Sequence, residues 1–356
     1  MRVLIAGGGT GGHVIPALAI ARELRDAHGA EVRFVGTARG LETRLVPEAG
    51  FKLELVRSGQ LKNVGLATRL RTAMDLPLGL AECMRLLHAF RPQAVVGVGG
   101  YASGPGMLAA IVRRVPTLAF EPNAVPGLAN RLVGRWVSAA AVNFEQSRSY
   151  FRNARVTGIP VRAEFFAIQP KTAGRLRLLV FGGSQGARVL NEAMPRIAGR
   201  LLQRFEDLEI VHQAGARHAE STAAAYAAAG VSGERVRVQP YLDEMPAEFA
   251  AADLVLCRSG ASTVAELGAA GKASLLVPFA LAADDHQRRN AEVFREAGAA
   301  RMLTEAELSA DSLLENLTEM LDAPEELRTM GERARRLARP DAVKEIARMV
   351  VGVAGC

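Results

Sequence analysis

The chain is poor in cysteine, in aromatic side chains and in long apolar runs, and each shortage excludes a class of protein. Its three cysteines, Cys83, Cys257 and Cys356, are an odd number without pair spacing, which argues against a disulfide framework and a cysteine-based metal site. Aromatic residues make up 5% of the sequence. The stacking platforms of proteins that bind single-stranded nucleic acid are therefore lacking, and no nucleic-acid partner is expected.

Long apolar runs are also missing. None approaches the roughly 20 residues that cross a bilayer, so no membrane span is predicted. The chain starts with Met-Arg and enters a strand-like Val-Leu-Ile-Ala directly, without the apolar core and cleavage site of a signal peptide. A cytoplasmic protein is expected.

The positive charge is concentrated in the first half of the chain. Residues 1–161 hold 20 Lys/Arg against 10 Asp/Glu, and residues 162–356 hold 24 against 27. A basic surplus attracts phospholipid head groups or a phosphorylated substrate, and charge alone does not distinguish between them.

One basic segment lies between Leu61 and Phe90. Its basic residues are Lys62, Arg69, Arg71 and Arg85, and its apolar ones include Met74, Leu76, Leu78 and Leu80. Leucines at helical spacing usually belong to a core. Because Pro77 and Gly79 interrupt the run, we instead predict that the segment meets an anionic membrane surface.

Short apolar runs alternate with longer helical stretches, which favours βαβ units around parallel sheets. The predicted strands are residues 3–6, 32–35, 94–98, 117–120, 176–181, 209–213, 236–238, 254–257 and 274–277. Both halves open with an apolar strand that runs through glycines into a helix. We therefore predict an α/β protein of two Rossmann-like, doubly wound parallel-sheet domains, residues 1–161 and 162–340. Their strand ends should face a common cleft, and the tail 341–356 is expected to pack back on the first domain.

The first glycine loop ends at His13 and contains Gly7, Gly9 and Gly12 in the G-x-G-x-x-G pattern of dinucleotide sites. The second strand ends without the acidic residue that would hold a ribose, so neither NAD nor FAD is expected. The loop is either a tight turn without a ligand or a cradle of N–H groups for an anion. A helix N-terminus disfavours imidazolium, so His13 is either a general base or a structural histidine.

The second half contains three candidate loops. Residues 182–186 repeat the glycine cradle and add the Ser184 hydroxyl, which could reach a diphosphate. Thr263 and Glu266 have capping-box spacing, but Glu266 could equally accept hydrogen bonds from a ribose diol. Residues 284–286 are Asp-Asp-His, but they are adjacent rather than convergent, so no metal site is expected.

Several motifs, taken in chain order, resemble a known family. They are Gly7-Gly-Gly-Thr-Gly-Gly-His-Val-Ile-Pro16, Gly99-Gly-Tyr-Ala-Ser-Gly-Pro105, Glu121-Pro-Asn123, Gly158-Ile-Pro-Val-Arg162, Gly182-Gly-Ser-Gln-Gly-Ala-Arg188 and Cys257-Arg-Ser-Gly-Ala-Ser-Thr-Val-Ala-Glu266. This ordered set is similar to the MurG family, the UDP-N-acetylglucosamine transferases that complete the lipid-linked disaccharide precursor of bacterial peptidoglycan. The chain departs from it in two places. Members often have Glu-Gln-Asn instead of Glu-Pro-Asn, and isoleucine is common where Leu242 stands.

The resemblance implies a GT-B fold and an inverting transfer without a cofactor or an obligate metal. N-acetylglucosamine would pass from UDP to the 4-hydroxyl of the muramoyl sugar in undecaprenyl-pyrophosphoryl-MurNAc-pentapeptide. The first domain would receive this acceptor and the second the donor. The protein would work as a peripheral protein at the cytoplasmic face of the inner membrane.

The resemblance also implies residue roles. His13 would be the catalytic base. The family's substrate-binding residues carry over onto Thr10, Gly11, Gly12, Asn123, Arg162, Ser184, Leu242, Ala261, Ser262, Thr263, Val264, Ala265, Glu266 and Gln287. Two alternatives remain: a UDP-N-acetylglucosamine 2-epimerase, which shares the fold and the donor, and a nucleotide-binding module without turnover.

Overall fold

The computed structural model describes residues 1–58, 66–100, 102–231 and 233–355 of the chain. It divides into two units, each built around one sheet whose paired strands all run parallel. Unit 1 comprises Met1–Pro160 with Asp341–Cys356, and unit 2 comprises Val161–Pro340. The α/β class predicted from the alternation of strands and helices is confirmed.

Unit 1 contains a seven-stranded sheet with helices between its strands. Its strands are β1 (Arg2–Ala6), β2 (Glu31–Gly36), β3 (Lys52–Leu55), β4 (Ala94–Gly97), β5 (Thr117–Glu121), β6 (Ala139–Val142) and β7 (Ala154–Val156). Its helices up to this point are α1 (Gly11–His28), α2 (Glu42–Glu48), α3 (Leu66–Phe90), α4 (Ser103–Val112) and α5 (Leu128–Val133), with a 3₁₀ helix at Glu145–Tyr150. The strand order is β3-β2-β1-β4-β5-β6-β7, so the direction of winding reverses between β1 and β4.

The apolar sequence of β1 explains its central place in this sheet. Val3 pairs with Val32 of β2 on one side and with Ala94 of β4 on the other. Residues 3–6 are fully buried, as expected for a parallel strand that is covered on both faces.

Unit 2 repeats this winding with a six-stranded sheet. Its strands are β8 (Arg177–Phe181), β9 (Glu209–Gln213), β10 (Val236–Gln239), β11 (Leu254–Cys257), β12 (Ala273–Leu276) and β13 (Arg301–Met302). Its helices are α6 (Ala163–Phe166), α7 (Arg188–Arg204), α8 (Ala219–Ala228), α9 (Met245–Ala251), α10 (Ala261–Ala270), α11 (His286–Glu296), α12 (Ala310–Leu321) and α13 (Pro324–Leu337), with a 3₁₀ helix at Ala283–Asp285. The order β10-β9-β8-β11-β12-β13 reverses between β8 and β11.

The last helix, α14 (Ala342–Ala354), belongs to unit 1. It packs against α1 and against β4, β5 and β6. Ile346, Ala347 and Val350 are fully buried. The end of the chain therefore completes the core of the unit in which the chain begins.

The interruption expected at Pro77 and Gly79 is wrong, because α3 runs continuously from Leu66 to Phe90. A Cβ at Gly79 would overlap the carbonyl oxygen of Arg57, so the missing side chain lets the helix approach the segment that follows β3. Across the described residues, none of the helices combines the length and the apolar character that a membrane span requires.

Candidate functional site

His13 lies in unit 1, at the point where the strand order reverses. It occupies the first turn of α1, and its Nδ1 is 3.5 Å from Oγ1 of Thr10. Its ring lies against Gly99, which follows β4, because a Cβ at Gly99 would be 3.0 Å from Nε2 and Cδ2 of the imidazole. Ligands of doubly wound sheets bind at such reversals, beyond the carboxyl ends of the strands.

The backbone around His13 is open to an anion on one side. Thr10 is the N-cap of α1 and is exposed, as is Gly12, while Gly11 is half-buried. The first turn carries no acidic side chain, and no described side chain caps it. The positive end of α1 is therefore directed towards the loop side of the sheet.

The glycine cradle itself is partly occupied by the protein. The Gly9 N–H donates to Oε2 of Glu42 at 2.7 Å, and Oε1 of the same carboxylate accepts from the Thr37 N–H and hydroxyl at 3.0 Å. Glu42 is 1% exposed. The idea that the whole loop receives an external anion needs correction, because one of its N–H groups already binds an internal carboxylate.

Asn123 follows β5, the next strand along the same edge. Its N–H and side-chain amide donate to Oε1 of Glu121 at 2.9 and 3.1 Å. Oε2 of Glu121 accepts from the Gly127 N–H and from Nδ2 of Asn130. Burial raises the pKa of Glu121, and these hydrogen bonds oppose the rise. Glu121 thus holds the loop that presents Asn123.

In unit 2, Ser184 is exposed on the loop between β8 and α7. Gly183 and Gly186 adopt positive φ values of 84° and 74°. The carbonyl of Gly183 accepts a hydrogen bond of 2.8 Å from Nε2 of the buried Gln213, at the end of β9. The Gln213 side chain therefore holds the loop through a carbonyl group, and the Gly186 N–H donates to the same carbonyl at 2.9 Å.

The segment 261–266 forms the start of α10, directly after β11. The N-cap is Gly260, and no described side chain caps the helix. Thr263 is therefore inside the first turn, and the capping-box interpretation of Thr263 and Glu266 is wrong. Val264 is fully buried in the core, and Ala261, Ser262 and Ala265 are half-buried.

Glu266 is a half-buried carboxyl with an altered acidity. Burial raises its pKa from the ordinary 4.5 to about 7, and the nearby positive charge of Arg162 opposes the rise. A carboxylate in this position gains free energy from any hydrogen-bond donor that a ligand brings. Burial, together with the negative charge of Glu266, also raises the pKa of the Cys257 thiol.

Gln287 is the second residue of α11, and both its side chain and its backbone carbonyl accept hydrogen bonds. Its Oε1 accepts from the Phe279 N–H at 3.0 Å, and its carbonyl accepts from the Ser259 hydroxyl at 2.8 Å. Arg258 braces the same region, since it donates to the carbonyls of Val277 and Pro278 and pairs with Glu305. These contacts bring the loops after β11 and β12 together.

Leu242 and Arg162 lie at two further positions of unit 2. Leu242 follows β10 and is 5% exposed, so its side chain belongs largely to the protein interior. Arg162 is the exposed N-cap of α6, with its guanidinium 5.1 Å from the ring centre of Phe165.

The expected site residues thus lie in both units. Thr10 to His13 and Asn123 follow strands of unit 1, and Ser184, Leu242, 261–266 and Gln287 follow strands of unit 2. Sequence inspection missed Glu42, Glu121 and Gln213 as supports. Among the described residues, no group of three histidine, cysteine, aspartate or glutamate side chains is arranged to hold a metal ion.

Three helices carry the expected site residues in or near their first turns. For α1, α7 and α10, the described first turns have no acidic residue and no side-chain cap. At α12, by contrast, Ser309 and Ser312 form a reciprocal capping box. Uncapped first turns leave N–H groups and the positive helix end for a phosphate.

Two parallel-sheet α/β units with such turns define the protein as one of the GT-B class. Residues 3–142 match the family model described as glycosyltransferase family 28 N-terminal domain, and residues 177–346 match the C-terminal domain of the same family. The chain belongs to glycosyltransferase family 28, and within it to the MurG family.

Relatives agree over nearly the full length. A UDP-N-acetylglucosamine--N-acetylmuramyl-(pentapeptide) pyrophosphoryl-undecaprenol N-acetylglucosamine transferase from Solibacter usitatus is 47% identical over 99% of this chain and 96% of its own. The crystal structure of Acinetobacter baumannii MurG is similar with a TM-score of 0.82 and 31% identity, covering 99% of both chains. A UDP-GlcNAc 2-epimerase from Neisseria meningitidis reaches a TM-score of 0.68 at 15% identity, over 99% of this chain and 100% of its own, and shares the fold only.

Proposed function

We propose that the protein transfers N-acetylglucosamine from UDP-N-acetylglucosamine to the muramoyl sugar of undecaprenyl-pyrophosphoryl-MurNAc-pentapeptide, a step of peptidoglycan synthesis. The observation that carries this proposal is the 47% identity over 99% of the chain to a relative that is named for this activity. Because the transferase similarity is far higher than the 15% identity to the epimerase, the transferase is favoured over the epimerase.

Unit 2 is proposed to bind the donor. The ionised Glu266 would accept hydrogen bonds from the ribose hydroxyls, with Leu242 near the uracil. The uncapped turns of α7 and α10, the Ser184 hydroxyl and Arg162 would stabilise the charge that develops on the departing diphosphate. Gln287 of unit 2, together with Thr10, Gly11, Gly12 and Asn123 of unit 1, would complete the contacts to the donor.

Unit 1 is proposed to receive the acceptor and to supply the base. The imidazole of His13 would remove the proton from the 4-hydroxyl of the muramoyl sugar. The resulting oxygen nucleophile would attack the anomeric carbon of N-acetylglucosamine as the bond to the UDP oxygen breaks. Attack from the opposite face inverts the configuration, and no metal or cofactor is needed for these steps.

Unit 1 is also proposed to attach to an anionic membrane surface, as a peripheral protein at the cytoplasmic face of the inner membrane. Exposed apolar side chains on and beside the adjacent helices α3, α4 and α5 support this proposal. They are Leu78 at 46%, Leu108 at 44%, Val112 at 57%, Leu132 at 59% and Trp136 at 67% exposure. The exposed Arg85, Arg113 and Arg135 lie on the same helices or directly after them, and each basic group near such a surface contributes about 1 kcal/mol.

The segment first expected to form this surface contributes only in part. Lys62 lies outside the described residues, and the side chains of Arg69, Arg71 and Met74 are not described. Leu80 packs against the core of unit 1. Exposed apolar residues of α4 and α5, which sequence inspection did not single out, replace it.

The activity is tested by incubating the purified protein with UDP-N-acetylglucosamine and the lipid-linked muramoyl pentapeptide. Equal amounts of UDP and lipid-linked disaccharide are expected, and neither should form when the acceptor is omitted. Formation of the 2-epimer of the donor without acceptor would support the epimerase instead. Binding of UDP without any turnover would support a nucleotide-binding module.

A further inference from the structure

Glu42 is a buried carboxylate that no step of the proposed reaction uses. It is the first residue of α2 and is 1% exposed. Among the described residues it takes part in no ion pair, and its three hydrogen bonds come from the Gly9 N–H, the Thr37 N–H and the Thr37 hydroxyl. Burying a carboxylate costs several kcal/mol unless such donors compensate for the lost water.

Three glycines provide the space for this carboxylate. A Cβ at Gly8 or Gly40 would overlap its oxygen atoms, and a Cβ at Gly36 would be 2.7 Å from its Cγ. None of these three glycines adopts a positive φ. The absence of a side chain, rather than backbone freedom, therefore explains why glycine occupies these positions. Gly8 and Gly40 lie in the loops after β1 and β2, and Gly36 is the last residue of β2, so both loops close around a single side chain.

The start of α2 holds Gly9 from two sides. The Gly9 N–H donates to Oε2 of Glu42 at 2.7 Å, and the Gly9 carbonyl accepts from the Leu41 N–H at 3.0 Å. The next residue, Thr10, is the N-cap of α1, and its carbonyl accepts from the His13 N–H at 3.1 Å. The orientation of the first turn of α1 therefore depends on where Gly9 is held.

The opposite side of the loop rests on the segment after β4. The Gly8 N–H donates to the Gly99 carbonyl at 3.3 Å, and a Cβ at Gly100 would overlap the Gly8 carbonyl. The His13 ring lies against Gly99. A shift of the loop away from Glu42 would therefore move the imidazole relative to Gly99.

We propose that Glu42 is a positioning residue for the His13 base, acting through the Gly9 N–H. The proposal rests on the proposed function, because it concerns the rate of sugar transfer. A displacement of a reacting group by about 1 Å costs on the order of a hundredfold in rate. The Glu42 carboxylate thus binds an N–H group of a glycine loop that resembles a phosphate-binding loop, and this contact orients the His13 base.

The test compares Glu42→Gln with Glu48→Gln, an exposed glutamate of the same helix. Glutamine keeps the size of the side chain, but its NH₂ group must face either the Gly9 N–H or the Thr37 N–H, and both are donors. We expect kcat to fall about 10- to 100-fold in Glu42→Gln, while the UDP affinity of unit 2 stays within about twofold. Glu48→Gln should match the wild type in both. Equal kcat values for the two variants would overturn the proposal.

A double variant separates positioning from general damage. In a His13→Ala background, adding Glu42→Gln should lower kcat by less than about twofold, because the group that Glu42 orients is gone. A reduction as large as in the wild-type background would overturn the proposal. If Glu42→Gln does not fold, Thr37→Val removes one donor to Oε1 and should lower kcat about two- to fivefold at unchanged UDP affinity. An unchanged kcat in Thr37→Val would then overturn it.

These outcomes remain distinct from failure of the proposed function. Absence of disaccharide with the wild-type protein would refute the sugar transfer itself. An active wild type with an equally active Glu42→Gln variant would refute only the positioning role.

Discussion

The two units wind their sheets in the same order, yet the side chain that holds the first glycine loop is an acceptor in unit 1 and a donor in unit 2. In unit 1 the carboxylate of Glu42 accepts from the Gly9 N–H. In unit 2 the amide of Gln213 donates to the Gly183 carbonyl. The Glu42 acceptor occupies a backbone N–H group, whereas the Gln213 donor occupies the Gly183 carbonyl, which also accepts from the Gly186 N–H. This difference supports the proposals that the loop of unit 1 orients His13 and that the loop of unit 2 receives a phosphate.

The two halves of the chain also differ in net charge. Residues 1–161 hold twice as many basic as acidic residues, and residues 162–356 hold slightly more acidic than basic ones. A diphosphate in unit 2 would therefore be recognised by local N–H groups and helix ends rather than by a broad basic surface. The basic surplus of unit 1 remains available for a membrane.

The largest effect on kcat should come from His13, because unit 1 is proposed to supply the base. The contrast between the two units fails if it does not. We expect His13→Ala to lower kcat about 10²- to 10⁴-fold and to leave UDP affinity unchanged. His28→Ala, at the exposed end of the same helix, serves as the control. Protonation of the imidazole removes the base, so the acidic limb of kcat/KM in the wild type should vanish in His13→Ala. If that limb persists, another group is the base.

The next effect concerns Glu266 in unit 2. Loss of a charged hydrogen bond to a ribose costs about 1.5 to 3 kcal/mol, so Glu266→Gln should weaken UDP binding roughly 10- to 100-fold in calorimetry. Glu315→Gln, on the exposed side of α12, should bind UDP like the wild type. Unchanged affinity in Glu266→Gln would remove the ribose contact.

The stability of the Glu266→Gln variant at different pH values tests the raised pKa of Glu266. Because the pKa of Glu266 is raised to about 7 in the folded protein, its stabilising contribution is complete below its ordinary value of 4.5 and is lost as the pH rises through 7. Glu266→Gln should therefore unfold at a higher temperature than the wild type at pH 8, and this difference should shrink towards pH 5. A lower melting temperature at pH 8 would contradict the raised pKa.

Glu266 should also affect the number of protons that are released when UDP binds. If the ribose hydroxyls bind the ionised carboxyl, UDP affinity should increase as the pH is raised towards 7, by at most about tenfold per pH unit. Calorimetry in two buffers of different ionisation enthalpy should then show more proton release for the wild type than for Glu266→Gln. Equal release in both would mean that only the UDP phosphate titrates.

The smallest effect concerns the membrane surface of unit 1. Arg135→Gln should weaken binding to vesicles rich in anionic lipid about fivefold, corresponding to roughly 1 kcal/mol. Arg217→Gln, an exposed arginine of unit 2, should have no effect. Wild-type binding should weaken as salt rises. Equal binding to neutral and anionic vesicles would contradict the electrostatic part of the proposal.

The sequence predicted the central strands because their signal is local. Residues 3–6 and 254–257 are apolar runs directly followed by glycines, and they form β1 and β11. Four strands were not predicted, β3, β6, β7 and β13, and two of them have weak local signals. β6 is Ala-Ala-Ala-Val, whose alanines favour helices, and β13 has only two residues. Pairing with an adjacent strand, rather than intrinsic preference, stabilises these two.

The amino-acid sequence by itself determined the class, the alternation of strands and helices, and the loops and helix starts that carry Ser184, His13 and Glu266, because these features depend on neighbouring residues. Only the tertiary structure decided how the loops are held. Glu42 is 33 residues from Gly9 and Gln213 is 30 from Gly183, so their hydrogen bonds exist only after the strands have paired. Thr263 shows the same limit, since its capping-box spacing is present in the sequence but α10 begins two residues earlier, at Ala261. A local pattern predicts which residues can form a turn. The packing of segments that are distant in the sequence determines which backbone groups of that turn remain for a ligand.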